Sequence, residues 1–214
     1  MGKKTESSLA KRGRRHAGTD IAVCLVYPNR SRVGRGNLGF QKIQSAINSH
    51  GSAYCDIAFL SESPVPVRSV ERDMALKNFD VVAFSITFEM DELNVLEILK
   101  TAGVPLMRGE RKDGDPIVCA GGVAVTLNPE PMSDFIDFFV IGDGEDGVGL
   151  WLSKLEKSRG HARRERIEEL AALTGVYVPS LYDVRYNDDG SIAGRAAKSG
   201  APDRVARLYK RDYS

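Results

Sequence analysis

The chain has 214 residues, of which 42% are hydrophobic and 28% charged, and it carries a formal net charge of +1. That composition suits one well-buried core with a smaller appendage and gives no global reason to expect a nucleic-acid or membrane partner. No apolar run approaches the roughly 20 residues that span a bilayer, and no apolar segment follows the basic amino terminus as a secretory signal requires, so a cytoplasmic location is expected by default.

Residues 1–19 hold Lys3, Lys4, Lys11, Arg12, Arg14 and Arg15 against the single acid Glu6. With almost nothing to bury they read as a disordered basic tail, solvated in preference to bound to nucleic acid. Asp20 to Tyr27 is apolar after its first residue and forms the first predicted core strand. The loop from Pro28 to Gly36 carries Arg30, Arg32 and Arg35, three cations that could meet a phosphate or only water. Asn37 then caps a predicted helix from Leu38 to about Ser49, with Leu38, Ile43, Ala46 and Ile47 on one face. No Gly-Lys-Ser/Thr follows, and the glycine spacing is not that of a dinucleotide fingerprint, so both nucleotide readings lose weight.

Tyr54 to Leu60 reads as a second strand, Glu71 to Lys77 as a short helix and Asp80 to Ile86 as a third strand. Ser85 and Thr87 at its end suit either ligand hydrogen bonds or capping of the helix expected over Phe88 to Thr101. From Gly103 to Asp115 the chain is polar. Two apolar runs follow, Pro116 to Ala120 and Phe135 to Ile141, each stopped by glycine: Gly121-Gly122 after the first and Gly142-Asp143-Gly144-Glu145 after the second. Glycines at the carboxyl ends of parallel strands let a ligand approach the backbone. Either pair alone is an ordinary turn. Together, with Asn128-Pro129-Glu130-Pro131 between them, they favour a site.

Asp146 to Arg159 is a predicted helix containing Trp151, and His161 to Leu173 a second one, rich in Arg and Glu and expected at the surface. Tyr182 to Tyr186 and Ser191 to Ala197 flank Asn187-Asp188-Asp189-Gly190, a hairpin signal. Val205 to Ser214 is charged and uncapped and reads as the start of a continuation. Five strands alternating with helices predict a doubly wound, five-stranded, mostly parallel α/β sheet with a C-terminal β-hairpin extension, its carboxyl-end loops converging on one crevice. The expected domains are the tail 1–19, the α/β domain 20–174 and a hairpin and linker 175–214.

Cys24, Cys55 and Cys119 all fall in strand-like runs with no close pair, which argues for core residues and against a local zinc or iron–sulfur motif or a disulfide framework. His16, His50 and His161 avoid the strand ends where a metal or catalytic role would place them.

The order DIAVCLVYP, GNLGFQKI, DVVAFSITFEMDELNVLEILKTAGVPL and PIVCAGGVAVTLNPEPMSDFIDFFVIGDGED resembles the amino-terminal cobalamin-binding-type domain, flavodoxin-like or Rossmann-like in fold, of cobalamin-linked radical S-adenosylmethionine (SAM) proteins. The NPEP and GDGE pair is the specific part, and the similarity covers about Asp20 to Leu155. The resemblance implies a corrin ring across the carboxyl edge of the sheet, with Ser85 and Thr87 toward the nucleotide tail and Gly121, Gly122 and Gly142 leaving room for it. Asn29, Asn37, Gly144 and Glu145 complete the implied cofactor set. It also implies a partner radical domain, in cis or in trans, that holds S-adenosylmethionine and a 4Fe-4S cluster.

Two features depart from related patterns, the first from the cobalamin domains of mutases and methionine synthase, as in several radical members, and the second from the radical domain. The loop Tyr27-Pro28-Asn29-Arg30-Ser31-Arg32-Val33-Gly34 has no cobalt-ligating histidine, and Cys-x-x-x-Cys-x-x-Cys is absent, which points to a truncated or split protein. The expected function is a cobalamin-binding or cobalamin-derived accessory domain without catalytic residues or a metal site of its own. The alternative is a cofactor-free interaction module that recognises substrate or RNA. A stand-alone acid–base enzyme using Asp143, Glu145 and Glu89 is the weakest reading, because carboxylates in such loops commonly complement helix ends.

Overall fold

The computed structural model describes residues 21–63, 65–198 and 200–209. The predicted tail over 1–19 lies outside them.

Five strands form the parallel core: β1 (Ile21–Tyr27), β2 (Ala53–Phe59), β3 (Val81–Ser85), β4 (Ile117–Gly121) and β5 (Phe138–Val140). They are near-continuous apolar runs because both faces of the sheet are covered. A sixth strand, β6 (Val176–Tyr177), lies in the stretch Gly175 to Pro179 and pairs antiparallel with β5, so the sheet order is β2-β1-β3-β4-β5-β6. The predicted doubly wound sheet is therefore present and one short strand wider than expected. β7 (Tyr182–Tyr186) and β8 (Ile192–Ala197) form the separate hairpin over the Asn187 to Gly190 turn.

A four-residue helix, α1 (Ser31–Gly34), sits unforeseen in the arginine loop. α2 (Leu38–Ser49) starts where Asn37 predicts, with Asn37 Oδ1 accepting from the Phe40 amide at 2.9 Å, a cap that stabilises a helix by about 1 kcal/mol. The core face of α2 is Phe40 and Ile47, whereas Leu38, expected inside, is 71% exposed. α3 (Asp91–Thr101) and the unpredicted α4 (Val123–Leu127) follow β3 and β4, and α5 (Gly144–Lys157) follows β5. β2 and β4 lie on opposite sides of the β1–β3 pair, so right-handed crossovers place α2 and α3 on opposite faces. α5 joins α2 on its face.

The helix expected over Glu71 to Lys77 does not form. The fully buried Asp56 accepts from the amides of Ile57, Glu71 and Arg72 at 2.8 to 3.0 Å, which holds that stretch as a turn against β2. The charged segment expected at the surface forms α6 (Arg163–Glu168) and a following turn, and it buries Arg163, Ile167, Leu170 and Ala171.

Candidate functional site

The parallel registers place Leu25, Ala83, Cys119 and Phe138 in one row across the sheet, and Ser85, Gly121 and Val140 in the next row toward its carboxyl edge. The two central strands thus contribute alanine, cysteine, serine and glycine where their neighbours carry leucine, phenylalanine and valine. This lack of side-chain volume opens a cleft of about 420 Å³ between the sheet and helices α2 and α5. Ile43 of α2 and Gly144, Val148 and Trp151 of α5 line its other side. The last three share a face at helical spacing. Trp151 packs against Phe138 at 6.0 Å between ring centroids, which sets one wall.

The floor is apolar and the mouth is polar. Ser85 and Thr87 line the cleft without a hydrogen bond from either hydroxyl among the described residues. Neither caps α3, whose N-cap is Met90. Asn37 and Gly39 at the start of α2, with Asp143, Gly144 and Glu145 at the start of α5, place two helix amino ends at the opening. There the backbone N–H groups and helix dipole favour an anionic ligand group. Glu145 lies in the first turn of α5, inside the helix it was expected to precede, and pairs with Lys42 at 3.0 Å. Around the mouth, Leu38, Phe88, Met90, Val123 and Leu127 are 53 to 75% exposed, an apolar rim on the loops and helices that follow β1, β3 and β4. Cys119 on the floor is an inert thiol, since burial pushes its pKa upward and Asp137 adds to the effect. Burial likewise raises the Cys55 thiol to about 12.

Of the residues singled out in the sequence, Asn37, Ser85, Thr87, Gly121, Gly122, Gly142, Gly144 and Glu145 all line this cleft. Asn29 does not. Its amide donates to Asp91 Oδ1 at 2.8 Å and its own Oδ1 accepts from the Arg30 amide, so it braces the loop after β1 against α3. The NPEP segment is also outside the cleft: Glu130 accepts from the Tyr177 hydroxyl at 2.8 Å and ties β6 to the turn before β5. Burial first, then Glu130, raises the Tyr177 phenol. Arg30, Arg32 and Arg35 are exposed and do not line the cleft, and Arg35 lies over the Phe59 ring at 5.3 Å.

Two glycines differ from the roles expected of them. At Gly122 (φ 112°) a Cβ would strike the Ile86 carbonyl, and at Gly142 (φ 103°) it would strike the backbone of Leu208. The close approach at each is taken by the protein's own chain. Residues 205–209 fold back on the sheet edge: Leu208 N donates to Ile141 O at 2.9 Å, and Asp143 N donates to Leu208 O at 3.0 Å. The Leu208 side chain fills a socket beside Gly147 and Gly175. This strap delivers Arg207 to the cleft, a cation that no periodicity or motif in the sequence signals.

The doubly wound sheet and its carboxyl-edge cleft define an α/β domain of the open-sheet type. The chain belongs to the family described as radical SAM proteins, N-terminal, which it matches over residues 39–179. An uncharacterized protein of Methanocaldococcus jannaschii is 28% identical over 123 residues, 58% of this chain and 24% of that protein, so this chain spans about a quarter of its relative's length. Among solved structures, the radical S-adenosylmethionine methyltransferase TsrM from Kitasatospora setae, with cobalamin and a 4Fe-4S cluster bound, aligns with a TM-score of 0.47 and 15% identity. The alignment covers 86% of this chain and 32% of that one. No helix among the described residues is long and apolar enough to cross a membrane, and no group of three or more potential metal ligands occurs among them.

Proposed function

We propose that the chain is the corrinoid-holding accessory region of a radical SAM protein, binding cobalamin at the carboxyl edge of its sheet for chemistry that a radical domain performs. The observation that carries this reading is the small-residue cleft opening beneath an exposed apolar rim. A volume of about 420 Å³ suits the nucleotide tail of cobalamin but not its macrocycle. In this arrangement the tail enters between the sheet and helices α2 and α5, while the corrin lies over Phe88, Met90, Val123 and Leu127. Ser85 and Thr87 supply hydroxyl partners, the amino ends of α2 and α5 face the tail phosphate, and Arg207 adds a positive charge.

When bound, the group supplies cobalt-centred transfer chemistry, and this chain supplies position and shielding from water. His50 is held by Ser153 and Ser52, and His161 by Glu169, so neither offers a ligand to cobalt at this edge. The proposed domains are the α/β body over 20–174 and a hairpin and linker over 175–214, with S-adenosylmethionine and the cluster belonging to a radical domain in cis or in trans.

The test is spectroscopic titration of the chain with hydroxocobalamin, followed by gel filtration. Colour should travel with the protein near one equivalent. Gly121→Leu and Ser85→Leu fill the cleft from positions with room for a side chain, since a Cβ at Gly121 meets nothing closer than 3.7 Å, and each should lower uptake at least about tenfold. Free elution of the colour from the unmodified chain would sink the proposal. The second reading, a cofactor-free interaction module, has in its favour that the strap already occupies the close approach at Gly142. That reading gains if colour binds only after Arg207 and Leu208 are replaced.

A further inference from the structure

We propose a second binding site, for a small phosphate-class oxyanion, at the amino edge of the sheet, on the opposite side of the domain from the carboxyl-edge cleft. It does not rest on the corrinoid reading. A cavity of about 270 Å³ lies between the segments entering β4 and β5 and helix α6. Five cationic side chains, those of Arg108, Arg111, Lys112, Arg163 and Arg164, line it against only two carboxylates, Asp113 and Asp137.

Arg164 pairs with Glu168 at 2.6 Å, but the buried arginines are not balanced internally. Asp137, 4% exposed, places a single oxygen, Oδ2, against Arg111 Nη1 at 3.0 Å, Arg163 Nη2 at 2.6 Å and the Val118 amide at 2.7 Å. One carboxylate thus faces two guanidinium groups. Arg111 is otherwise satisfied by the carbonyls of Pro105, Leu106 and Phe135, all uncharged. Burial lowers its pKa although Asp137 opposes the shift, and the Arg163 charge lowers it further. The other carboxylate, Asp113, accepts from the Arg163 backbone amide at 2.8 Å. Arg163 itself is 7% exposed, and its Nη1 has no hydrogen-bond partner among the described residues.

A buried, unpartnered guanidinium nitrogen is costly, and native proteins seldom leave one without an ion or water to meet it. An oxyanion supplies both the missing acceptor and the missing negative charge, and a guanidinium fork matches the geometry of phosphate oxygens. Lys112 and Arg164, both exposed, would guard the entrance, while Arg163 meets the anion from inside. Because Nη1 is shielded from solvent, entry requires its head group to rotate toward the cavity.

Isothermal titration of the full 214-residue chain with inorganic phosphate, and separately with glycerol 3-phosphate, at ionic strength held constant with sodium chloride, reads this directly. Saturable heat and a phosphate-dependent rise in Tm at millimolar concentrations are expected. Lys112→Glu and Arg163→Met should each weaken binding at least about tenfold. If Arg163→Met does not fold, Lys112→Glu still decides the matter, because Lys112 is exposed. Binding of phosphate but not the ester identifies a free-ion site, and binding of both identifies a site open to phosphomonoesters. Absence of heat, or a Tm gain that never saturates and survives Lys112→Glu, overturns the proposal, because phosphate also stabilises folded proteins non-specifically.

Discussion

The two edges of one sheet solve opposite problems. At the carboxyl edge the central strands end in small residues, the hydroxyls of Ser85 and Thr87 have no partner among the described residues, and apolar side chains stand in solvent. At the amino edge the chain buries charge: Asp137 gathers Arg111, Arg163 and the Val118 amide, and so ties together the segments that enter β4, β5 and α6. The buried charge cluster lies at one edge and the apolar, hydroxyl-lined cleft at the other. A parallel sheet favours a crevice at its carboxyl edge, because the carboxyl-end loops diverge around it.

The largest effect that could break this comparison is at Asp137. Asp137→Ala leaves two buried guanidinium groups and a strand amide without their shared acceptor, and it should cost about 3–5 kcal/mol of stability in urea unfolding. Corrinoid uptake by the fraction that remains folded should be unchanged. Gly121→Leu should behave in the opposite way, with lost uptake and a modest stability change. If both variants lose stability equally, the division of labour is wrong.

Gly122→Ala comes next and is a control on how the carboxyl edge is read. Its φ of 112° and the Ile86 carbonyl leave no place for a Cβ, so at least about 2 kcal/mol should be lost and any fall in uptake should track unfolding. Leu208→Ala should cost less, about 1–2 kcal/mol, because Leu208 is only partly buried. Loosening the strap should also speed exchange of the Asp143 amide and of the amide of residue 208, since the Asp143 N–H donates to the Leu208 carbonyl and the Leu208 N–H donates to the Ile141 carbonyl. Unaltered exchange of the Asp143 amide would show that the strap is held by something other than its leucine.

Much of the carboxyl edge was legible in the sequence because its signals are local. An apolar run stopping at Gly121-Gly122, an Asn37 preceding a periodic helix and a hydroxyl pair after β3 each lie within a few residues of their consequences. The hairpin at Asn187 to Gly190 was legible for the same reason. What could not be read depends on partners far apart in the chain. Arg163 and Asp137 are separated by 26 residues, as are Arg111 and Asp137, and in sequence the two arginines look like solvated charges in polar stretches while Asp137 sits inside the apolar run from Phe135 to Ile141. The helix expected over Glu71 to Lys77 failed because Asp56, 15 residues upstream of Glu71, captures its amides. Gly142 looked like room for a ligand, and it is room for Leu208.

The smallest predicted effect sharpens the comparison most, because it sets one buried carboxylate against another. Asp91, 2% exposed at the carboxyl edge, has two amide partners, Asn29 at 2.8 Å and Asn94 at 3.5 Å, and its Oδ2 is unpartnered among the described residues, where Asp137 has two arginines. Burial raises the Asp91 carboxyl above its ordinary value of 3.8, and the two amides only partly offset this. With the folded pKa above the unfolded one, the folded chain binds more protons between the two values. Its contribution to stability is therefore gained as pH falls through that window and lost as pH rises. Asp91→Asn removes the titration and keeps an oxygen for Asn29. Its Tm relative to the unmodified chain should thus rise from acid to neutral pH, by less than about 1 kcal/mol in equivalent stability. A relative Tm that falls toward neutral pH would mean that the Asp91 charge is stabilising, and that the carboxyl edge, like the amino edge, is built around an ion pair.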